Sequence, residues 1–152
     1  LSSENICKPE AVDSLNLAGL LFFLIGHIMY IVWLLRFTVG FNYWLLSICV
    51  VLPCIMFLMA KLKILQPGKA TVPCIAYAAV IGLMLAAAIN VYLKLGGETI
   101  SKLILVGGIL FTVSDCCLAV FNFGGTKPNW LKYLYMPTYY AAQLIFAISI
   151  LY

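Results

Sequence analysis

Residues 70 to 93, ATVPCIAYAAVIGLMLAAAINVYL, run for about seven helical turns without a charged side chain. An α-helix needs roughly 20 apolar residues to cross about 30 Å of hydrocarbon. Inside a bilayer each backbone N–H and C=O must find its partner within the protein, so such a segment is helical or belongs to a closed barrel. Further windows of the same kind lie near 14–35, 42–60, 101–121 and 132–152. Continuous runs of this length exclude an outer-membrane barrel, whose strands read as alternating segments of about 10 residues.

The expected fold is therefore an all-α, polytopic transmembrane helical bundle of about five spans, a single domain over residues 1–152. A soluble domain is excluded by composition, with 65% hydrophobic residues, 9% charged residues and a mean hydropathy of +1.11. The first apolar run is too long for a secretory signal and follows the polar, mainly acidic stretch LSSENICKPEAVD. The chain starts at Leu1 and stops at Tyr152 within an apolar run, which reads as the C-terminal part of a longer protein.

The connections are short and carry the turn and charge signals: KLKILQPGK at 61–69, LKLGGETISK at 93–102 and NFGGTKPNWLK at 122–132. Sequence neighbours should then be antiparallel, in an up-and-down bundle. Five spans place Lys8, Lys61, Lys63, Lys69, Lys127 and Lys132 on one side of the membrane and Arg36, Lys94 and Lys102 on the other. The positive-inside rule assigns the first side to the cytosol. The net charge of +4 is spread through the connections without a basic, aromatic-laced patch, so nucleic acid is a poor partner. Of the six cysteines only Cys7 lies outside the spans. Cys49, Cys54, Cys74, Cys116 and Cys117 read as small packing residues, and their spacing with the single His27 matches no zinc pattern.

Asp115, in GGILFTVSDCCLAVFNF, is the one acid at membrane depth; Glu4, Glu10, Asp13 and Glu98 fall in flanks or loops. Placing an Asp at a helix centre costs about 2.5–3.5 kcal/mol on insertion scales, so either packing or function offsets it. Gly107 and Gly108 lie two turns earlier, where small residues let another helix approach. His27 and Tyr30 share a face of GLLFFLIGHIMYI, and Tyr139 and Gln143, with Tyr140 nearby, share one in MPTYYAAQLIFAIS. Pro137 loosens the backbone just before them, and Asn90 falls near the end of the third span. A lone buried His or Tyr serves packing more often than chemistry. Together these residues outline a polar spot within an apolar bundle, suited to an amphiphile that arrives from the bilayer.

GLLFFLIGHIMYI, GGILFTVSDCCLAVFNF and MPTYYAAQLIFAIS, in this order and spacing, resemble the lysoplasmalogenase family of YhhN-like transmembrane alkenyl-ether hydrolases. The most specific parts are Ser114-Asp115 and the Tyr139-Tyr140-x-Ala-Gln143 run. The resemblance implies a membrane enzyme of roughly eight helices, in vertebrate-like members resident in the endoplasmic reticulum. It implies cleavage of the vinyl-ether bond of lysoplasmalogens to a fatty aldehyde and glycerophosphocholine or glycerophosphoethanolamine. Asp115 and His27 are then the candidate catalytic residues, with Tyr30, Asn90, Ser114, Tyr139, Tyr140 and Gln143 as candidate substrate-binding residues. No cofactor or metal is expected, since a zinc mechanism wants about three histidines. The family carries a further Gly-Asp motif on the helix before the His-bearing one, and this sequence does not contain it.

A rival reading makes Asp115 a proton-coupled or cation site in a transporter. A third is a non-catalytic, lipid-binding relative. Release of aldehyde from a vinyl-ether lipid separates the hydrolase from both.

Overall fold

A computed structural model describes residues 9–37, 40–125 and 128–151, with side chains from Ala18 onward. The described residues form five α-helices: α1 (Pro9–Leu35), α2 (Leu46–Lys61), α3 (Thr71–Lys94), α4 (Thr99–Phe123) and α5 (Trp130–Ser149). Single 3-10 turns at Tyr43–Leu45 and Gly68–Ala70 lead into α2 and α3. No strand forms among them; one isolated bridge pairs Leu65 with Gly124. The protein is a helical membrane bundle, as the apolar runs require.

α1 begins at Pro9, upstream of the expected 14, because proline suits the first helical position, where its missing N–H loses nothing. Four segments are long and apolar enough to cross a membrane: Ala18–Leu35, Tyr43–Lys61, Gly68–Lys94 and Thr99–Phe123. The fifth expected span, 132–152, is a helix over Trp130–Ser149 but is not among them. Lys132, Gln143, Pro137 and the tyrosines 133, 135, 139 and 140 dilute its apolar character.

The up-and-down expectation holds for connection length but not for every neighbour. α3 lies between its partners and packs against α1, α2 and α4, while α5 packs on α4. Among the described residues α1 and α2, adjacent in sequence, make no substantial contact with each other. The backbone around Gly82 brings α3 onto α2: a Cβ there would lie 2.9 Å from the Ile48 carbonyl oxygen and 3.0 Å from the Cys49 Cα. Close approach through small residues, expected at Gly107 and Gly108, also occurs on α4. A Cβ on Gly108 would lie 3.0 Å from Ala88 of α3, and one on Gly107 would lie 3.2 Å from the Phe146 ring of α5.

The core gathers Leu34, Met84, Ala88, Ile104, Phe111 and Phe146, drawn from α1, α3, α4 and α5. The outside is equally apolar, with Phe22 and Val72 each 76% exposed. Water would penalise such a surface; lipid does not. At one end of the bundle the Gln66 N–H donates to the Phe123 carbonyl at 2.7 Å, tying the α2–α3 connection to the end of α4. At the other end Asn90 holds the α1–α2 connection, donating from Nδ2 to the Gly40 carbonyl at 3.2 Å and accepting at Oδ1 from the Asn42 N–H at 3.1 Å.

Candidate functional site

Three helices converge on Asp115. Its position on α4 lies eight residues before the helix ends at Phe123, or about 12 Å inside it. His27 of α1 brings Nε2 to 3.1 Å from Asp115 Oδ2. The Tyr77 hydroxyl of α3 donates to the same oxygen at 3.2 Å. His27 and Asp115 are both buried, 2% and 5% exposed, so this polar contact is removed from solvent.

Proton positions follow from the partners. His27 Nδ1 lies 2.7 Å from the Phe23 carbonyl one turn earlier, and a carbonyl only accepts, so Nδ1 carries a hydrogen. In a neutral ring Nε2 is then a bare acceptor. A bare Nε2 facing a carboxylate oxygen at 3.1 Å puts two acceptors side by side, a contact with a place for one proton between them. The ring is not aligned for a good hydrogen bond to Oδ2: although the atoms are close, Nε2 makes no hydrogen bond. Asp115 Oδ1 is likewise buried and unpaired among the described residues. Unpaired polar atoms in a protein interior are costly, and two in one pair call for an explanation.

A second network lies beside the first. The Tyr30 hydroxyl donates to Gln143 Oε1 at 2.8 Å, and Gln143 Nε2 donates to the Tyr139 hydroxyl oxygen at 3.0 Å. The i, i+4 spacing of Tyr139 and Gln143 makes the latter contact possible. Phe111, one turn before Asp115, separates the networks, with its ring centroid 5.3 Å from that of His27, 5.6 Å from Tyr30 and 5.5 Å from Tyr139. Tyr30 also stacks on Phe146 at 4.8 Å.

The remaining expected residues lie elsewhere. Asn90 is 13 residues beyond Tyr77 on α3, about 20 Å along the axis, where it tethers the α1–α2 connection. The Ser114 hydroxyl donates to the Tyr135 carbonyl at 2.9 Å, joining α4 to α5 in the turn beside Pro137. Tyr140 is 68% exposed and points away from the bundle, touching Tyr139 edge-on. Tyr77, which bonds Asp115 Oδ2, and Phe111, which packs against His27, belong to the site although the sequence did not single them out. The sequence signal for Tyr77 was its hydroxyl in the otherwise apolar CIAYAAVIG.

Two cavities meet at this place. The smaller, about 200 Å³, is lined by His27, Tyr30, Phe111, Tyr139 and Gln143 together with Gly26 and Phe22. The larger, about 1050 Å³, has Asp115 and Tyr77 in its wall and reaches the exposed residues Gln66 and Lys69 at the bundle end. Phe23 lines both. Among the described residues no three His, Cys, Asp or Glu side chains come together. What converges instead is one acid, one imidazole and one phenol, a proton-handling set in the wall of an apolar cavity.

The model of the YhhN family matches residues 11–150. No curated protein and no solved structure matches the chain.

Proposed function

This chain belongs to the YhhN family, which is the lysoplasmalogenase family, and we propose that it hydrolyses the vinyl-ether bond of lysoplasmalogens by general acid-base catalysis at Asp115. The observation that carries the reading is the buried Asp115–His27 pair, with Oδ1 unpaired among the described residues, beside a lipid-sized apolar cavity that Asp115 helps to line.

The chemistry asks for little more than a positioned proton. A vinyl ether takes a proton at the alkene carbon remote from oxygen, and the cation that forms is shared with the ether oxygen. Water adds to the carbon bearing that oxygen and loses a proton. The resulting hemiacetal collapses to a fatty aldehyde and the free glycerol hydroxyl of glycerophosphocholine or glycerophosphoethanolamine. Net consumption is one water, and the proton is returned. Glycosidases meet a similar cation with carboxyl groups in both roles, proton donor and charged stabiliser.

Asp115 supplies the carboxyl group, with Oδ2 held by Tyr77 and Oδ1 without a partner among the described residues. His27 shares the pair's proton and passes it to or from Oδ2. The Tyr30–Gln143–Tyr139 chain holds the captured water or the glycerol hydroxyl on the other side of His27. The endoplasmic reticulum membrane is the proposed location, carried by the family resemblance alone.

The test is aldehyde release from a choline lysoplasmalogen by full-length protein, wild type beside Asp115→Asn, with the saturated-ether lipid as control. Wild type is expected to cleave only the vinyl ether. A positioned acid-base group contributes about 10²- to 10⁴-fold, so Asp115→Asn should lose turnover on that scale while retaining its helical circular dichroism. Lipid binding by both proteins without aldehyde from either would replace the hydrolase with a binding or transport protein.

A further inference from the structure

We propose that Lys69, at the open end of the larger cavity, anchors the phosphate of a single-chain phospholipid whose tail lies between α1, α2, α3 and α4; the choice of ligand rests on the lysoplasmalogenase reading. Binding pockets for small molecules span about 300–1,000 Å³, and this cavity, at about 1050 Å³, lies at the top of that range. Its walls are mostly aliphatic, with Leu52, Ile55, Met56 and Met59 from α2 facing Ala119 of α4. Among the described residues lining it Lys69 is the one cation and Asp115 the one acid.

Asp115 lies within the cavity, which continues past it to Ile81, one turn beyond Tyr77 on α3, and Lys69 lies at its mouth. Asp115 is buried, its Oδ1 without a partner among the described residues, whereas Lys69 is exposed. Asn122, seven residues after Asp115 on α4, lines the cavity near its mouth, about 10 Å further along the helix. An amphiphile with its ether bond at Asp115 thus has its phosphodiester directed toward Lys69 and its amine toward water. The local backbone favours an anion there as well. Lys69 sits in the 3-10 turn Gly68–Ala70 that opens α3, and no side chain caps the helix start at Ala70. The positive end of the α3 dipole attracts negative charge there. Gln66, whose own N–H is fixed to Phe123, completes the polar rim.

Affinity of full-length protein for two uncleavable ligands tests this: 1-O-alkyl-glycerophosphocholine and 1-O-alkyl-glycerol of the same chain length, each below its aggregation concentration, in competition with a fluorescent lysophospholipid. Wild type is expected to prefer the phosphate-bearing ligand. Lys69→Ala should weaken that ligand about tenfold, the loss of one charge-assisted contact. It should leave the alkylglycerol unchanged, and Lys69→Arg should retain the preference. Glycerophosphocholine, a headgroup without a tail, should compete poorly with both proteins. Equal affinity of wild type for the two ligands overturns the proposal, as does an equal loss, or none, in Lys69→Ala. Because neither ligand carries a vinyl ether, failure of the hydrolase reading shows separately, as selective binding without aldehyde release in the turnover assay.

Discussion

Asp115 presents two unlike oxygens: Oδ2 meets Tyr77 and His27, while Oδ1 has no hydrogen-bond partner among the described residues. Tyr77 therefore sets the carboxyl plane, and Tyr77→Phe removes only that restraint. A hydrogen bond to a charged group is worth about 1.5–3 kcal/mol, so kcat/KM for the vinyl-ether substrate should fall roughly tenfold or more, with a fall in Tm beside it. A variant that turns over like wild type would remove Tyr77 from the site. Asn90 gives a different signature. Asn90→Ala leaves the Gly40 carbonyl and the Asn42 N–H without their buried partner, at about 1–3 kcal/mol, and so should lower Tm while KM stays put. A raised KM at unchanged Tm would return Asn90 to substrate contact. The sequence exposed Asp115, His27, Tyr30, Tyr139 and Gln143 because polar groups at membrane depth are conspicuous. Asn90 is equally conspicuous, but its partners come from a connection whose path no local pattern reveals. Tyr77 was hidden for the converse reason, since a tyrosine near a span's end reads as an ordinary interface anchor.

At the scale of elements, α3 determines how the others meet. Gly82 is where its backbone approaches α2, and the atoms a Cβ would strike belong to the backbone of Ile48 and Cys49. No side-chain rotation relieves such a contact. Gly82→Val should therefore displace α2 at a cost of about 1–3 kcal/mol, read as a fall in Tm. Because α2 supplies one wall of the large cavity, lipid affinity should fall with it. An unchanged Tm would mean that α2 yields freely and is not fixed by α3. The existence of the helices was readable from apolar length, but the central place of α3 was not. In segments apolar all round, helical periodicity names no buried face, so sequence adjacency was the remaining guide. It misled at α1 and α2. α5 shows the complementary limit: its tyrosines and Gln143 lower its hydropathy, and those same residues build the second hydrogen-bonded network.

For the whole molecule, the question is which cavity takes the tail. The bundle is apolar inside and outside, so membrane residence follows from composition, but a cavity between helices is a property of packing that composition cannot express. The two spaces differ in kind. The smaller is ringed by aromatic side chains and hydrogen-bonded tyrosines, and at about 200 Å³ it suits water and a glycerol hydroxyl. The larger is aliphatic and reaches the end of the bundle that carries Lys61, Lys63 and Lys69. A long alkyl chain gains its binding energy from the apolar area it buries, at roughly 25 cal/mol per Å². That gain is available only in the larger space. Leu52→Trp places an indole in that cavity from α2, a helix that contributes no group to the Asp115–His27 pair. Its KM should therefore rise steeply with tail length across a series of lysoplasmalogens, while kcat for the shortest tails stays near wild type. If every chain length is affected alike, the tail lies outside this cavity, along the lipid-facing surface of the helices, and the larger space has another occupant.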